Sequence, residues 1–109
     1  SYGFIPDTLQ ADGDELDTYI MSKGKQGEAV EVMPICIVYC IDNMQTDNKL
    51  ICAGKGAGLF IRRKVRSIAR FIKKYKKGCV MLGISWRGDN IKYEIAKCRA
   101  YNKLFKGGK

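Results

Sequence analysis

Residues 29–41 carry the sequence AVEVMPICIVYCI, and this apolar stretch decides the fold. Val and Ile dominate it, and the residues at 35, 37, 39 and 41 share one face if the chain is extended. A period of two residues is typical of a β-strand. Pro34 cannot donate to a strand ladder, so we expect a bulge or a sheet edge there. The stretch therefore predicts a long core strand.

Shorter strands are predicted on both sides of this stretch. Residues 49–53 follow a polar turn of hairpin length, and residues 18–21 are β-branched and aromatic. From Ile61 onward the apolar residues recur at steps of four and three, as on one face of a helix that Gly78 ends. A strand over 79–86 and a helix over 91–105 complete the pattern. This order predicts an α+β fold with an antiparallel sheet or a small barrel.

Length and composition limit the classes of protein that the chain can belong to. Its 109 residues suffice for one domain with one modest core. No apolar run approaches the length of a membrane span, so no membrane partner is expected. The chain has no histidine, which excludes Ser/His and Cys/His nucleophile pairs and removes the commonest zinc ligand.

Acidic and basic residues are segregated along the chain. Residues 1–54 carry three lysines and nine acidic residues, a net charge of −6. Residues 55–109 carry 17 basic and two acidic residues, a net charge of +15. This asymmetry indicates either a polyanionic partner or an acidic metal site that faces a basic phosphate site.

The five cysteines, at positions 36, 40, 52, 79 and 98, are odd in number and lack C-x-x-C spacing. This pattern argues against a disulfide framework and against a zinc knuckle. Cys36, Cys40 and Cys52 lie in apolar runs, so we expect them to be reduced core residues. Reduced thiols favour an intracellular, cytoplasmic location.

The most informative polar stretch is the acidic loop at residues 12–17, DGDELD. Carboxylates this close repel one another unless a cation lies among them, and hard divalent ions such as Mg²⁺ bind carboxylate oxygens. Gly13 would let the backbone turn tightly enough for them to converge. Asp42 and Asp47 flank the next predicted turn, and Lys49 follows it. If the two turns are neighbours, five aspartates share one pocket; two solvated turns are the alternative, because Asp is common in turns.

These residues also resemble a known family. The segments YGFIP at 2–6, TL at 8–9 and DGDELD at 12–17 closely resemble the family I soluble inorganic pyrophosphatases, whose signature is D-[small]-D-[P or E]-[apolar]-D-[apolar or small]. Six of the seven signature positions match, and Thr18 departs mildly at the last. Residues 42–49 resemble the family's D-x-x-x-x-D-x-K segment, and Tyr75-Lys76 resembles its Tyr-Lys pair more loosely. The resemblance implies a small antiparallel OB-like β-barrel with two helices.

The resemblance also implies an activity and a role for each matching residue. Members of the family hydrolyse pyrophosphate to two phosphates with several Mg²⁺ ions, by direct attack of a metal-activated water. By position, Asp14 matches the general base, and the metal ligands are matched by Asp12, Asp17, Asp42 and Asp47. The groups that hold the phosphates are matched by Tyr2, Lys49, Tyr75 and Lys76. Members are commonly oligomeric, which implies a homo-oligomer.

The chain departs from the family pattern at its start. The family has a strand-rich segment before the Tyr-Gly motif, which carries a Lys, an Arg and Glu residues of the site, whereas this chain begins at the motif. We therefore expect residues 1–109 to form a single pyrophosphatase-like domain that lacks the N-terminal part of the family pattern, either because the sequence is a fragment or because the enzyme is truncated. The alternative function is a non-catalytic basic module of the same fold that binds anions or nucleic acid.

A basic stretch over residues 62–77 would serve this alternative. Nine cations cover the polar side of the predicted helix: Arg62, Arg63, Lys64, Arg66, Arg70, Lys73, Lys74, Lys76 and Lys77. They form either the solvated face of an amphipathic helix or a docking surface for nucleic acid or an anionic membrane. The sequence shows little aromatic interleaving that would indicate base stacking. The five aspartates separate the two functions, because a binding module gains nothing from them and a metal site requires most of them.

Overall fold

The computed structural model describes residues 2–21, 27, 29–54, 58, 60–75 and 78–106. In chain order its elements are β1 (Tyr2–Ile5), β2 (Leu16–Met21), β3 (Met33–Asp42), β4 (Gln45–Thr46), β5 (Lys49–Ala53), α1 (Ile61–Tyr75), β6 (Cys79–Ser85) and α2 (Gly88–Lys106). Neither of these helices is both long enough and apolar enough to span a membrane.

The sheet is built around β3. This strand pairs antiparallel with β4, β5 and β6. β4 and β5 pair with β3 in the same register, since Val38 pairs with Lys49 and Ile41 with Thr46. The two short strands therefore form one arm of a hairpin. A shift of register at Pro34 is the bulge expected from the sequence.

β2 connects this hairpin to the N-terminal strand. It pairs antiparallel with β1 and parallel with β5, and the parallel register places Asp17 opposite Lys49. Because β3 runs antiparallel to β5, the starts of β2 and β5 and the end of β3 lie at the same end of the sheet. We call this end, formed by residues 16–17, 42 and 47–49, the acidic end.

The two faces of the sheet are covered by different helices. α1 packs on one face, where its buried Ile72 joins the same apolar cluster as Ile51. α2 packs on the other face, where its buried Cys98 joins the cluster of Leu50. Successive strand residues point to opposite faces, so a strand covered on both sides has apolar residues at consecutive positions. This explains the nearly continuous apolar run of β3.

The predicted elements are confirmed in kind and differ at their ends. The strand predicted over 29–41 begins at Met33, and the strand predicted over 18–21 begins at Leu16. The helix that starts at Ile61 ends at Tyr75, shortly before Gly78. The observed ends differ from the predicted ones because apolar periodicity marks burial, whereas the ends of an element depend on local hydrogen bonds.

The α+β class with two helices is confirmed, and the sheet differs from the expected antiparallel barrel in two respects. It contains a parallel pair, because an alternating pattern sets which residues are buried but not the direction in which two strands pair. It is also open over the described residues, since β1 pairs only with β2 there and β6 only with β3.

The cysteines are packing residues. All five thiols are free, and Cys36, Cys40, Cys52 and Cys98 are buried, as expected for the first three from the apolar runs around them. Burial, with a smaller effect of a neighbouring thiol or carboxylate, raises the pKa of Cys36 and of Cys98 to about 12. These thiols therefore stay protonated near neutral pH and are poor nucleophiles.

Candidate active site

The ammonium group of Lys49 lies at the centre of the acidic end. Its Nζ atom is 3.0 Å from Asp47 Oδ2 and 3.5 Å from Asp17 Oδ2. The residue is 1% exposed, so its charge is almost completely withdrawn from water. Burial lowers the pKa of Lys49, but the hydrogen bond to Asp47 and the charges of Asp47 and Asp17 outweigh it and hold the pKa above its ordinary value. Lys49 is therefore a buried cation with two carboxylate partners.

Strand register explains why these three side chains meet. Asp17 and Lys49 are opposite each other in the parallel pair. Both lie on the face covered by α1, because Tyr19 and Ile51, two residues further along each strand, belong to the cluster on that face. Asp47 precedes Lys49 by two residues and reaches the same ammonium group. A slip of one residue would turn these side chains to the other face.

The turn between β3 and β4 fixes the register of the hairpin. Asp42 pairs with Gln45, which leaves Asn43 and Met44 as a loop of two residues. Both loop residues have positive φ angles, 54° and 66°. Two such residues give a turn whose twist matches that of the flanking strands. Asn adopts this conformation more readily than most side chains, whereas Met does so against its preference.

A buried amide pair ties the chain before the acidic loop to the hairpin. Gln10 Nε2 donates to the backbone oxygen of Asn48 at 3.0 Å, and Gln10 Oε1 accepts from the Asn48 backbone N–H at 2.9 Å. The side-chain oxygen of Asn48 accepts from the backbone N–H of Cys40 at 3.1 Å. Gln10 and Asn48 are 5% and 4% exposed, so these bonds replace the hydrogen bonds to water that folding removes. The pair holds the acidic loop beside Asp47 and Lys49.

The acidic loop itself forms a tight turn before β2. Gly13 has a positive φ angle of 89°, which glycine adopts without strain and which allows the tight turn expected from the sequence. The backbone N–H of Asp14 donates to Asp12 Oδ1 at 3.0 Å. Asp12 is half-buried, whereas Asp14 is exposed. Burial raises the pKa of Asp12 against the opposing effect of this hydrogen bond, and the negative charges of Asp47, Asp14 and Asp17 raise it further.

Two tyrosines lie next to Lys49 and its carboxylate partners. Tyr2 and Tyr19 pair across β1 and β2, and their ring centroids are 5.1 Å apart in an edge-to-face arrangement. Burial and a hydrogen bond to Asp17 raise the pKa of Tyr2. The hydroxyl of Tyr19 is buried and has no hydrogen-bond partner among the residues that the structure describes. The sequence did not indicate a role for Tyr19, because the residue lies in a short apolar stretch that is typical of a core strand.

Asp42 and the turn between α1 and β6 lie at the same end of the sheet. Asp42 is the last residue of β3 and pairs with Cys79, the first residue of β6. A Cβ atom on Gly78 would lie 3.2 Å from Asp42 Oδ1, so Gly78 lies close to this carboxylate. Tyr75 ends α1 just before the turn. Lys76 lies outside the described residues.

The acidic end contains one carboxylate oxygen that is suited to a hard divalent cation. Asp47 Oδ1 is buried and has no hydrogen-bond partner within the described ranges. A buried carboxylate oxygen without a partner is costly unless it meets a donor or a cation. Carboxylate oxygens are also the ligands that Mg²⁺ prefers. No three Asp, Glu or Cys side chains of the described residues converge closely enough to hold an ion, and Lys49 supplies the positive charge between Asp17 and Asp47.

Comparisons with known proteins identify the family and the fold of the chain. The family model "inorganic pyrophosphatase" matches residues 1–78. The inorganic pyrophosphatase of Sulfolobus acidocaldarius is 40% identical over 57 residues, which are 50% of this chain and 33% of that protein. The Thermus thermophilus inorganic pyrophosphatase structure superposes with a TM-score of 0.75 at 28% identity, over 94% of this chain and 68% of that one. The Neisseria gonorrhoeae inorganic pyrophosphatase structure has the same fold, with a TM-score of 0.79 at 23% identity over the same two shares.

The mixed sheet between two helices is thus the fold of inorganic pyrophosphatases. The chain belongs to the inorganic pyrophosphatase family, because the family model matches most of its length. The resemblance noted in its motifs is confirmed. The match spans about a third of the curated relative and about two thirds of the two solved structures.

Lys49→Met is expected to lower the free energy of unfolding by about 3 kcal/mol, because it leaves Asp17 and Asp47 as like charges without their cation. Urea unfolding of the variant and the wild type measures the difference. The double variant Lys49→Met, Asp47→Asn carries one uncompensated charge fewer and should recover part of the lost free energy of unfolding.

Arg87→Met is the matched control for this experiment. The ion pair of Arg87 with Asp89 is 3.1 Å long, but its side chains are 75% and 69% exposed. An exposed pair contributes little, so we expect a change within about 0.5 kcal/mol. Equal effects of Lys49→Met and Arg87→Met would contradict a buried, charge-balancing Lys49.

Proposed function

We propose that this protein hydrolyses inorganic pyrophosphate to two phosphates in a reaction that depends on Mg²⁺. The observation that carries the proposal is the acidic end, where Asp17 and Asp47 flank the buried Lys49 and one oxygen of Asp47 has no partner in the described part of the chain. Such a site repels an anion unless divalent cations balance its charge. Membership of the pyrophosphatase family supports pyrophosphate as the anion.

The proposed metal ligands are Asp12, Asp17, Asp42 and Asp47. Mg²⁺ bound by these carboxylates would lower the pKa of a water molecule and neutralise charge on the phosphoryl groups. The raised pKa of Asp12 supports this role, because burial and then the charges of neighbouring aspartates disfavour its ionised form. A carboxylate in this electrostatic environment gains from a nearby cation.

Asp14 is the proposed general base. Its backbone N–H is fixed on Asp12 Oδ1 at 3.0 Å, while the residue remains exposed. The main chain is therefore anchored, and the carboxylate stays accessible to water. A carboxylate within reach of the attacking water can accept its proton in the transition state. The sequence contains no histidine that could take this role.

Tyr2, Lys49, Tyr75 and Lys76 are proposed to hold the phosphate groups. Lys49 is suited to this because its two carboxylate partners keep it charged despite its burial. Tyr2 is 54% exposed, so its ring borders solvent at the mouth of the site. Tyr75 ends α1 three residues before Gly78, which lies beside Asp42. The role of Lys76, outside the described residues, rests on its place in the family motif.

The alternative function, a basic module without activity, is less well supported. It gives no role to the carboxylates of the acidic end or to the buried Lys49, since acids at the centre of an anion site weaken binding. We also propose that residues 1–109 are one domain in the cytoplasm. A single sheet that packs against both helices supports one domain, and the free thiols support a reducing compartment.

We further propose that the protein forms homo-oligomers through β6. Val80, Leu82 and Ile84 alternate along this strand and are 60%, 62% and 37% exposed. β6 pairs only with β3 among the described strands, so it is an edge strand of the described sheet. An exposed apolar edge strand favours association with another chain.

Leu82→Glu should shift the oligomer toward the monomer, because it places a charge in the middle of this apolar strip. Sedimentation velocity of wild type and variant over a range of concentrations measures the change. A wild type that sediments only as a monomer would contradict the association, and an unchanged oligomer in the variant would exclude β6 as its interface.

Phosphate release from pyrophosphate should require Mg²⁺ and fall about 100-fold or more in Asp14→Asn, because the variant keeps the shape of the side chain but loses the proton acceptor. A colorimetric phosphate assay in MgCl₂ and in EDTA measures both effects. Asp7→Asn is the matched control, since Asp7 is an exposed acid near the loop without a role in the site.

The Asp7→Asn variant should release phosphate at the wild-type rate. A folded wild type that releases no phosphate in Mg²⁺ would contradict the proposed reaction. Equal loss of activity in the Asp7→Asn and Asp14→Asn variants would contradict the assignment of the base.

A further inference from the structure

The outer face of α1 is a continuous strip of positive charge. The helix carries no acidic residue and seven exposed basic residues: Arg62, Arg63, Lys64, Arg66, Arg70, Lys73 and Lys74. At 3.6 residues per turn, the residues at 62, 66, 70 and 73 follow one another along one side of the helix. At a rise of about 1.5 Å per residue, the 11 steps from Arg62 to Lys73 give a row about 16 Å long. Such a row matches an extended polyanion better than a single small anion.

The opposite face of α1 is not available for a membrane. Val65 and Ile72 are fully buried against the sheet. A helix that binds a lipid surface by insertion needs its apolar face free to enter the interface. Because the apolar face of α1 is packed against the sheet, the exposed basic strip of α1 favours a partner in solution over a membrane.

Aromatic rings stand beside the strip at the start of α1. The guanidinium carbon of Arg62 lies 5.2 Å from the ring centroid of Trp86, and that of Arg63 lies 5.5 Å from the ring centroid of Phe60. Phe60 is 70% exposed and Trp86 is 39% exposed. Aromatic faces and guanidinium planes are the surfaces on which unpaired bases stack. This arrangement could not be seen in the sequence, because Trp86 follows a different strand.

We propose that the outer face of α1 is a docking surface for single-stranded nucleic acid. The phosphodiester backbone binds along Arg62, Arg66, Arg70 and Lys73, and one or two bases stack beside Phe60 and Trp86. Stacking distinguishes a single strand from a duplex, whose bases are already paired and stacked. The surface lies along the outer side of α1, and the proposal does not depend on the proposed hydrolysis of pyrophosphate.

Fluorescence anisotropy with a labelled 20-nucleotide oligouridylate, measured from 50 to 200 mM KCl, tests this proposal. The wild type should bind, with an affinity that falls steeply as salt rises. The triple variant Arg66→Gln, Arg70→Gln, Lys73→Gln should bind at least tenfold more weakly at 50 mM KCl. The slope of log affinity against log salt should become shallower by about 2, because three phosphate contacts are lost.

The matched control removes the same charge from the other helix. Lys92→Gln, Arg99→Gln, Lys103→Gln changes three exposed cations of α2, on the opposite face of the sheet. This variant should bind nearly as tightly as the wild type. Phe60→Ala should weaken binding about fivefold or more and leave the salt slope unchanged, because it removes stacking and no charge. Circular dichroism checks that each variant is folded, which is expected since all these side chains are exposed.

Several outcomes would overturn the proposal. The first is a wild type that does not bind the oligonucleotide at 50 mM KCl. The second is equal loss of affinity in the α1 and α2 triple variants, which would show a general charge effect. The third is displacement of the oligonucleotide by a 20-base-pair duplex, or by phosphatidylserine vesicles, more effectively than by the unlabelled single strand.

Discussion

The salt bridges of the buried Lys49 ammonium with Asp17 and Asp47 are the interaction on which the candidate site depends. A lysine that is 1% exposed needs nearby negative charge, and carboxylates packed against it need its positive charge. The parallel register of β2 and β5 meets this requirement, because it places Asp17 opposite Lys49. The two-residue turn at 43–44 and the buried pair of Gln10 and Asn48 hold the surrounding chain in that register. The strand register and the turn therefore set the geometry of the acidic end, and the ion pairs balance its buried charges.

The segregation of charge along the chain has a structural counterpart. The acidic N-terminal half supplies the loop, β2 and the hairpin of the acidic end, whereas the basic C-terminal half supplies both helices. Two further ion pairs, Arg87 with Asp89 and Lys97 with Glu94, lie within the C-terminal half. Lys49 is the cation that the acidic half places among its own carboxylates.

Much of the fold could be predicted because burial repeats with the period of each element. The apolar periods at 29–41 and from 61 onward identified β3 and α1. The family resemblance grouped Asp12, Asp17 and Asp47, of which Asp17 and Asp47 meet at Lys49. The parallel pairing of β2 with β5 could not be predicted, because alternation carries no information on strand direction. The buried pair of Gln10 and Asn48 could not be predicted either. The two residues are 38 positions apart in the sequence, and neither residue type indicates the other as its partner. The contact of Arg62 with Trp86 was hidden in the same way.

Isothermal titration calorimetry with MgCl₂ tests most directly whether the acidic end is a cation site. The wild type should bind Mg²⁺, and Asp47→Asn should weaken binding about tenfold or more, because it removes one charged ligand. Asp89→Asn removes an exposed acid from α2 and should bind as the wild type does. A wild type that takes up no Mg²⁺, or equal affinities of the two variants, would contradict the account.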